Sequence, residues 1–191
     1  MMSQAKVLSE QELKRVLAVV EQMKHASRNK LLVLLSFQAG MRAGEIATLK
    51  ISNVQNEDGS IRDRIHLDNN QTKGDRQRTV IISQKLQRAI SHYVGVLTGF
   101  RSEPGRALIM SQKGGHFSPT TLVMLFRRIY DLAGLSDARS HSGRRSFITK
   151  LANKGVSVRV VQTLAGHSSM QTTQRYIDVN EGMLVQAVEL A

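Results

Sequence analysis

Residues 141–176 read HSGRRSFITKLANKGVSVRVVQTLAGHSSMQTTQRY, and the interpretation of the whole chain turns on that run. His141 and Arg144 stand three apart, the spacing that sets two side chains on one face of a helix. Gly166-His167 follows, and nine residues beyond His167 comes a lone phenol, Tyr176, in the polar stretch Gln171-Thr172-Thr173-Gln174-Arg175-Tyr176. Guanidinium and imidazole groups can hold phosphate oxygens, and a tyrosine oxygen can attack phosphorus. Taken singly, each residue has a plainer reading. Arg144 and Arg145 could be solvated helix charges, His167 could meet a helix dipole, and Tyr176 could be a half-buried packing residue. Their order and spacing together point to chemistry on a phosphate.

Outward from this run the chain reads as mainly helical. Helical periodicity is expected over His141 to Asn153, ending at Gly155, and over a helix capped by Ser157 that carries Val160, Val161 and Leu164 and ends at Gly166. Ser9 and Glu12 form a capping box ahead of Leu13, Val16, Leu17 and Val20. Ala26 to Ala39 predicts a largely buried helix closed by Gly40, and another helix begins near Arg42. Leu86, Ile90, Tyr93 and Leu97 mark one amphipathic face. Ser118-Pro119 opens a helix with Leu122, Leu125, Phe126 and Ile129 on its apolar side, and a last helix covers Met183 to Leu190.

The character changes between residues 58 and 82. Asp58-Gly59 is a hairpin signal, followed by Ile61, Ile65 and Leu67; Lys73-Gly74-Asp75 makes a second turn, and Arg78 to Ile82 returns as partner strand. A small antiparallel sheet of two or three strands is expected. Gly99 to Gly115 is mostly loop around a short buried piece, Ala107 to Met110. No internal repeat, low-complexity tract or long linker interrupts the sequence. The fold class is therefore α+β, mainly α with a small antiparallel sheet, in a single domain over residues 1–191.

Charge narrows the partner. The chain holds 27 Lys and Arg against 15 Asp and Glu, a net charge of +12, which favours a polyanion whose counterions are released on binding. The positive residues are dispersed, unlike those of a membrane-surface helix. With five Phe, three Tyr and no Trp, the chain is poor in the stacking platforms that readers of single strands use, which favours contact with a duplex backbone. The lack of Cys excludes disulfides, thiolate zinc sites and a cysteine nucleophile. The start lacks the apolar core of a signal peptide, and the most apolar run, Leu31 to Leu35, is far too short to span a bilayer. A cytoplasmic, DNA-associated protein is expected. No metal-ligand pattern and no cofactor motif is evident.

Four segments occur in a telling order: Ala39-Gly40-Met41-Arg42-Ala43-Gly44-Glu45-Ile46-Ala47-Thr48-Leu49; the hairpin with Lys73 ahead of Arg78-Thr79-Val80; His141-Ser142-Gly143-Arg144-Arg145-Ser146-Phe147; and Val160 to Ser169, leading through Thr172-Thr173 to Tyr176. In these the chain resembles the catalytic domain of the tyrosine recombinases, the phage-integrase family of site-specific DNA recombinases. The resemblance spans nearly the whole chain. It implies that Tyr176 is the nucleophile and that Arg42 and Arg144 grip the scissile phosphate. Lys73 would protonate the departing 5′ oxygen, His141 would help manage the tyrosine proton, and His167 would hydrogen-bond a phosphate oxygen. Glu45 would orient the first arginine. Between His141 and Arg144 the family often carries an acidic and then an apolar residue, where this chain has Ser142 and Gly143; glycine there weakens a helix by about 1 kcal/mol relative to Ala, so the helix is expected to start late or bend.

The chemistry suits those residue types. Charge builds on the non-bridging oxygens as phosphorus becomes five-coordinate, and forked guanidiniums meet it better than point charges. A tyrosyl ester keeps the bond energy, so rejoining needs neither ATP nor, with arginines in place, a metal ion. The resemblance also implies duplex DNA as partner and a tetramer assembled on it, with the last helix docking on a neighbour or packing on its own domain. The N-terminal core-binding domain that typical members carry is expected to be absent. Two other functions fit the same residues: a DNA-binding regulator of this fold that is catalytically idle or weak, and relaxation of DNA in the manner of a type IB topoisomerase.

Overall fold

Ser9 starts the first helix, α1 (Glu10–Glu21), by the reciprocal cap its spacing to Glu12 predicts. Its Oγ accepts from Glu12 N–H at 3.2 Å, and the Glu12 carboxylate accepts from Ser9 N–H at 2.9 Å. The computed structural model describes residues 4–72, 77–176 and 181–189. The second helix, α2 (Ala26–Ala39), has Leu31 through Phe37 buried without a break, so it faces protein on every side. Fourteen residues make it about 21 Å long. It stops at Gly40, whose φ of 61° is open to glycine at little cost.

After Gly40 come two short helices, α3 (Ala43–Ala47), near the expected Arg42 start, and α4 (Ile51–Val54), which has too few residues to show a period. The Asp58-Gly59 turn is present and is closed by a bridge between Gln55 and Ile61, so Ile61 stands outside the sheet. The sheet has two strands, β1 (Arg64–Leu67) and β2 (Arg78–Ile81), paired antiparallel with Ile65 opposite Val80 and Leu67 opposite Arg78. Alternation turns Ile65, Leu67 and Val80 inward, and Arg78 with them. The second expected turn, Lys73-Gly74-Asp75, lies outside the described residues.

Helix α5 (Gln84–Gly95) buries Leu86, Ile90 and Tyr93; Leu97 lies beyond its end but still packs on the core. Ala107 to Met110 is buried as read, tied by bridges to Lys50 and His116. Helix α6 (Pro119–Leu132) is capped by Ser118 and buries Leu122, Phe126 and Ile129. The C-terminal third holds α7 (Ser142–Asn153), α8 (Val158–Ala165), α9 (Met170–Gln174) and α10 (Glu181–Glu189). In α8 Val160 is 47% exposed, and Val161 and Ala165 carry the buried face. The last helix starts two residues before Met183, and Leu190 lies outside the described residues.

Helix α2 packs against α1, α5 and α7, around a core shared by α1 to α6 and the sheet. A second, small core of Ile148, Val161 and Ala165 lies between α7 and α8, with Phe147, Leu151, Val156 and Tyr176 packed on it. Gly143 explains how α7 meets α2. A Cβ there would run into Ser36 Oγ and come within 2.8 Å of the Phe37 ring. Helix propensity alone makes Gly143→Ala stabilising by about 1 kcal/mol, whereas overpacking a close helix contact costs about 1–3 kcal/mol. We expect the second effect to win. Thermal unfolding of Gly143→Ala should show a lower Tm than the parent chain, and a raised Tm contradicts the tight α2–α7 contact.

Candidate active site

Three arginines and one carboxylate meet where α2 and α8 end. Glu45, in the first turn of α3, is 1% exposed. One of its oxygens accepts from Arg42 N–H at 2.8 Å, and the other lies 2.7 Å from the Arg42 guanidinium. Arg78 reaches the same carboxylate from β2, at 2.7 and 2.8 Å, and donates to the Leu164 carbonyl at 2.9 Å. Burial by itself would raise the Glu45 carboxyl, but the charge of Arg78 and the N–H and charge of Arg42 outweigh it and hold the group below the ordinary carboxylate range. Glu45 therefore remains an anion, orienting Arg42 and Arg78 together.

Arg144 has no carboxylate among the described residues. It is 4% exposed and donates to the carbonyls of Gly40 at 2.7 Å and Ala165 at 2.6 Å. Both acceptors are at helix C-termini, where unpaired carbonyls and the dipole favour a cation. Burial, with Arg42 and Arg78 nearby, depresses the Arg144 guanidinium to about 9, so it stays charged at neutral pH. Three guanidiniums against one carboxylate leave this patch two charges in excess. Such a patch favours an anion over a cation.

Two glycines let the helix ends approach. Gly40 stands against Phe147 of α7, where a Cβ would come within 2.5 Å of the ring. Gly166, with φ of 62°, closes α8 and lies under the Arg78 side chain, 2.6 Å from where its Cβ would be. Any larger residue at 166 displaces Arg78.

His167 follows directly. Its backbone N–H donates to Gln162 O, and its carbonyl accepts from the Gln162 side chain. The ring Nδ1 lies 2.9 Å from Thr173 Oγ1. The Tyr176 ring stacks on His167 with centroids 5.7 Å apart and planes 21° apart, and the Arg145 guanidinium sits 5.8 Å from the Tyr176 centroid. Burial and then the charges of Arg144, Arg42 and Arg78 push the imidazole down to about 4. His167 is neutral at physiological pH.

His141 is the N-cap residue of α7 rather than part of it, and its exposed ring has Nδ1 3.4 Å from Ser140 Oγ. It shares a cleft of about 340 Å³ with Arg144 and Tyr176. Arg139, Arg145 and Arg175 also line that cleft, and no Asp or Glu does. Of the seven residues singled out from the sequence, Arg42, Glu45, Arg144, His167 and Tyr176 are linked by contact or by mutual charge effects, and His141 opens onto the same cleft. Lys73 lies outside the described residues.

Sequence reading passed over Arg78, Arg145 and Thr173 as site residues. Arg78 had a signal, since strand alternation puts it on the inward face with Val80. Arg145 and Thr173 had none beyond their proximity to Arg144 and Tyr176.

The sequence model of the phage integrase family matches residues 6–183. A tyrosine recombinase XerA from Pyrococcus furiosus is 31% identical over 189 residues, covering 97% of this chain and 62% of the relative. A tyrosine recombinase XerC from Lactobacillus leichmannii is 32% identical over 157 residues, covering 80% of this chain and 51% of the relative. The chain thus spans about three-fifths or less of the length of these curated relatives. The crystal structure of XerA recombinase superposes with a TM-score of 0.77 at 25% identity, over 100% of this chain and 66% of that one. The Tn1549 transposon integrase, solved with circular intermediate DNA, has the same fold with a TM-score of 0.75 at 18% identity, over 100% of this chain and 68% of that one.

The setting of His167 makes a titration prediction. Its folded-state value lies below the ordinary one, so its contribution to stability is full above about 6.5 and declines as pH falls towards about 4. Histidine NMR titration should give His167 a midpoint near 4. A midpoint at the ordinary value near 6.5 contradicts a half-buried ring flanked by cations.

Proposed function

The chain belongs to the phage integrase family, and on that premise we propose that it is a site-specific recombinase that cleaves and rejoins duplex DNA through a 3′-phosphotyrosyl intermediate. One observation carries the reading: a buried patch with an excess of positive charge adjoins the cleft that holds a phenol. Arg42 and Arg144 bind the non-bridging oxygens of the scissile phosphate. Tyr176 Oη attacks phosphorus, the bond from phosphorus to the 5′ oxygen breaks, and the tyrosyl ester holds the energy for rejoining. His141 helps take the tyrosine proton, His167 donates to a phosphate oxygen, and Lys73 supplies the proton to the departing oxygen. Losing one such preorganised donor typically costs about 2.7–4 kcal/mol of transition-state stabilisation.

The charges that meet the phosphate are guanidiniums, which supports a reaction independent of metal ions and ATP. Recombination would proceed as a tetramer on DNA in the cytoplasm, with exposed Leu184, Val185 and Val188 of α10 available to a neighbouring protomer. No described helix is long and apolar enough to cross a membrane.

The deciding experiment is covalent trapping on a nicked duplex drawn from the gene's own flanking DNA, in EDTA and without ATP. The parent chain should form a phosphotyrosyl adduct, and Tyr176→Phe should form none while binding the duplex about as well. An idle DNA-binding regulator gives binding without adduct from the parent chain too. Relaxation of supercoils by a monomer without sequence preference would instead mark a topoisomerase.

Lys73 is tested by leaving-group chemistry. A duplex with a 5′-bridging sulfur needs no proton on departure, so it should restore cleavage to Lys73→Ala but not to Arg144→Ala. Failure of the rescue removes Lys73 from the acid role.

A further inference from the structure

Thr173 is 0% exposed, and its hydroxyl has one partner among the described residues, Nδ1 of His167 at 2.9 Å. It sits in α9, a five-residue helix that closes against α8, while the Gln162 bonds hold the backbone of His167 and its ring stacks on Tyr176. A neutral imidazole carries one N–H, and the hydrogen bond at one nitrogen decides which nitrogen holds it. If Nδ1 held the proton, the Thr173 hydroxyl would accept it, and its own buried hydrogen would be left without an acceptor among the described residues. That arrangement carries the penalty of a buried donor left unsatisfied. If the hydroxyl donates to Nδ1, its hydrogen is used and the ring proton moves to Nε2.

We infer that Thr173 is a positioning residue: its buried hydroxyl donates to Nδ1 and fixes His167 as the Nε2–H tautomer, which presents a neutral N–H donor to an anionic oxygen. The inference deepens the reading of the site as a phosphodiester centre and rests on it. Beside three guanidiniums, a neutral donor adds a hydrogen bond to the phosphate without adding to the excess charge. No proton is exchanged with the DNA at this residue; His167 keeps its hydrogen through the reaction.

The test has a spectroscopic arm and a kinetic arm, both on the full chain. In the first, long-range ¹H–¹⁵N NMR of the histidine-labelled chain reads the tautomer at neutral pH, with His167 assigned by its loss in His167→Ala. The Nε2–H pattern is expected, and the Nδ1–H pattern overturns the inference. In the second, single-turnover adduct formation is followed on the same nicked duplex at saturating concentration. Thr173→Val should slow it about tenfold to hundredfold, the worth of a hydrogen bond to a charged oxygen, with half-saturation unchanged. Thr173→Ser should restore the rate. In a His167→Ala background Thr173→Val should have no further effect. A full rate in Thr173→Val, or a further loss of similar size in the double variant, overturns the inference. Absence of adduct from the parent chain instead overturns the proposed cleavage, and the NMR arm still decides the tautomer.

Discussion

One buried carboxylate underlies the site. Glu45 is the acidic partner that Arg42 and Arg78 share, and both guanidiniums take their orientation from it. Buried ion pairs are weak sources of net stability, yet removing one partner leaves the other uncompensated at a cost of about 3–5 kcal/mol. The asymmetry fits what the geometry requires. The folded chain tolerates two guanidiniums on one carboxylate, and a third on two helix-end carbonyls, only by leaving the patch short of negative charge. That shortfall gives the patch a positive field before any ligand arrives.

The scaffold delivers these groups through helix ends. Helix α2 crosses the core and stops at Gly40, α8 stops at Gly166, and their last carbonyls point at Arg144 and Arg78. Left-handed glycines turn the chain sharply away at both places, so the carbonyls stay open to a guanidinium. Phe147 packed on Gly40, and Arg78 packed on Gly166, then set how closely the two ends approach. Backbone conformation, packing and electrostatics thus act at the same two residues.

Much of this was legible from the sequence where the signal was local. The Ser9–Glu12 box, the stop at Gly40, the Ser118-Pro119 start and the Gly166 terminus are short-range chemistry, and the structure has each of them. Short elements were not legible: α4 and α9 have four and five residues, too few to show a period. Val160, Val161 and Leu164 mark α8 as helical, but which of them is buried is decided by tertiary packing, which chose Val161. Gly143 looked like a weakness in α7, since its reason, the Ser36 and Phe37 side chains, lies more than a hundred residues away in sequence. Alternation with Val80 puts Arg78 on the inward strand face, but its partner Glu45 lies 33 residues away and is visible only in the fold.

The arginines also serve as struts. Tyr176 packs on the corner built on Ile148, Val161 and Ala165, and His167 stacks on Tyr176. Arg78 spans from the sheet to the Leu164 carbonyl, and Arg144 ties Gly40 to Ala165. The guanidiniums that give the patch its positive charge are therefore also braces between the body and the corner that carries the phenol. An arginine variant removes charge and bracing in one stroke, so its effect on the proposed reaction would measure neither alone.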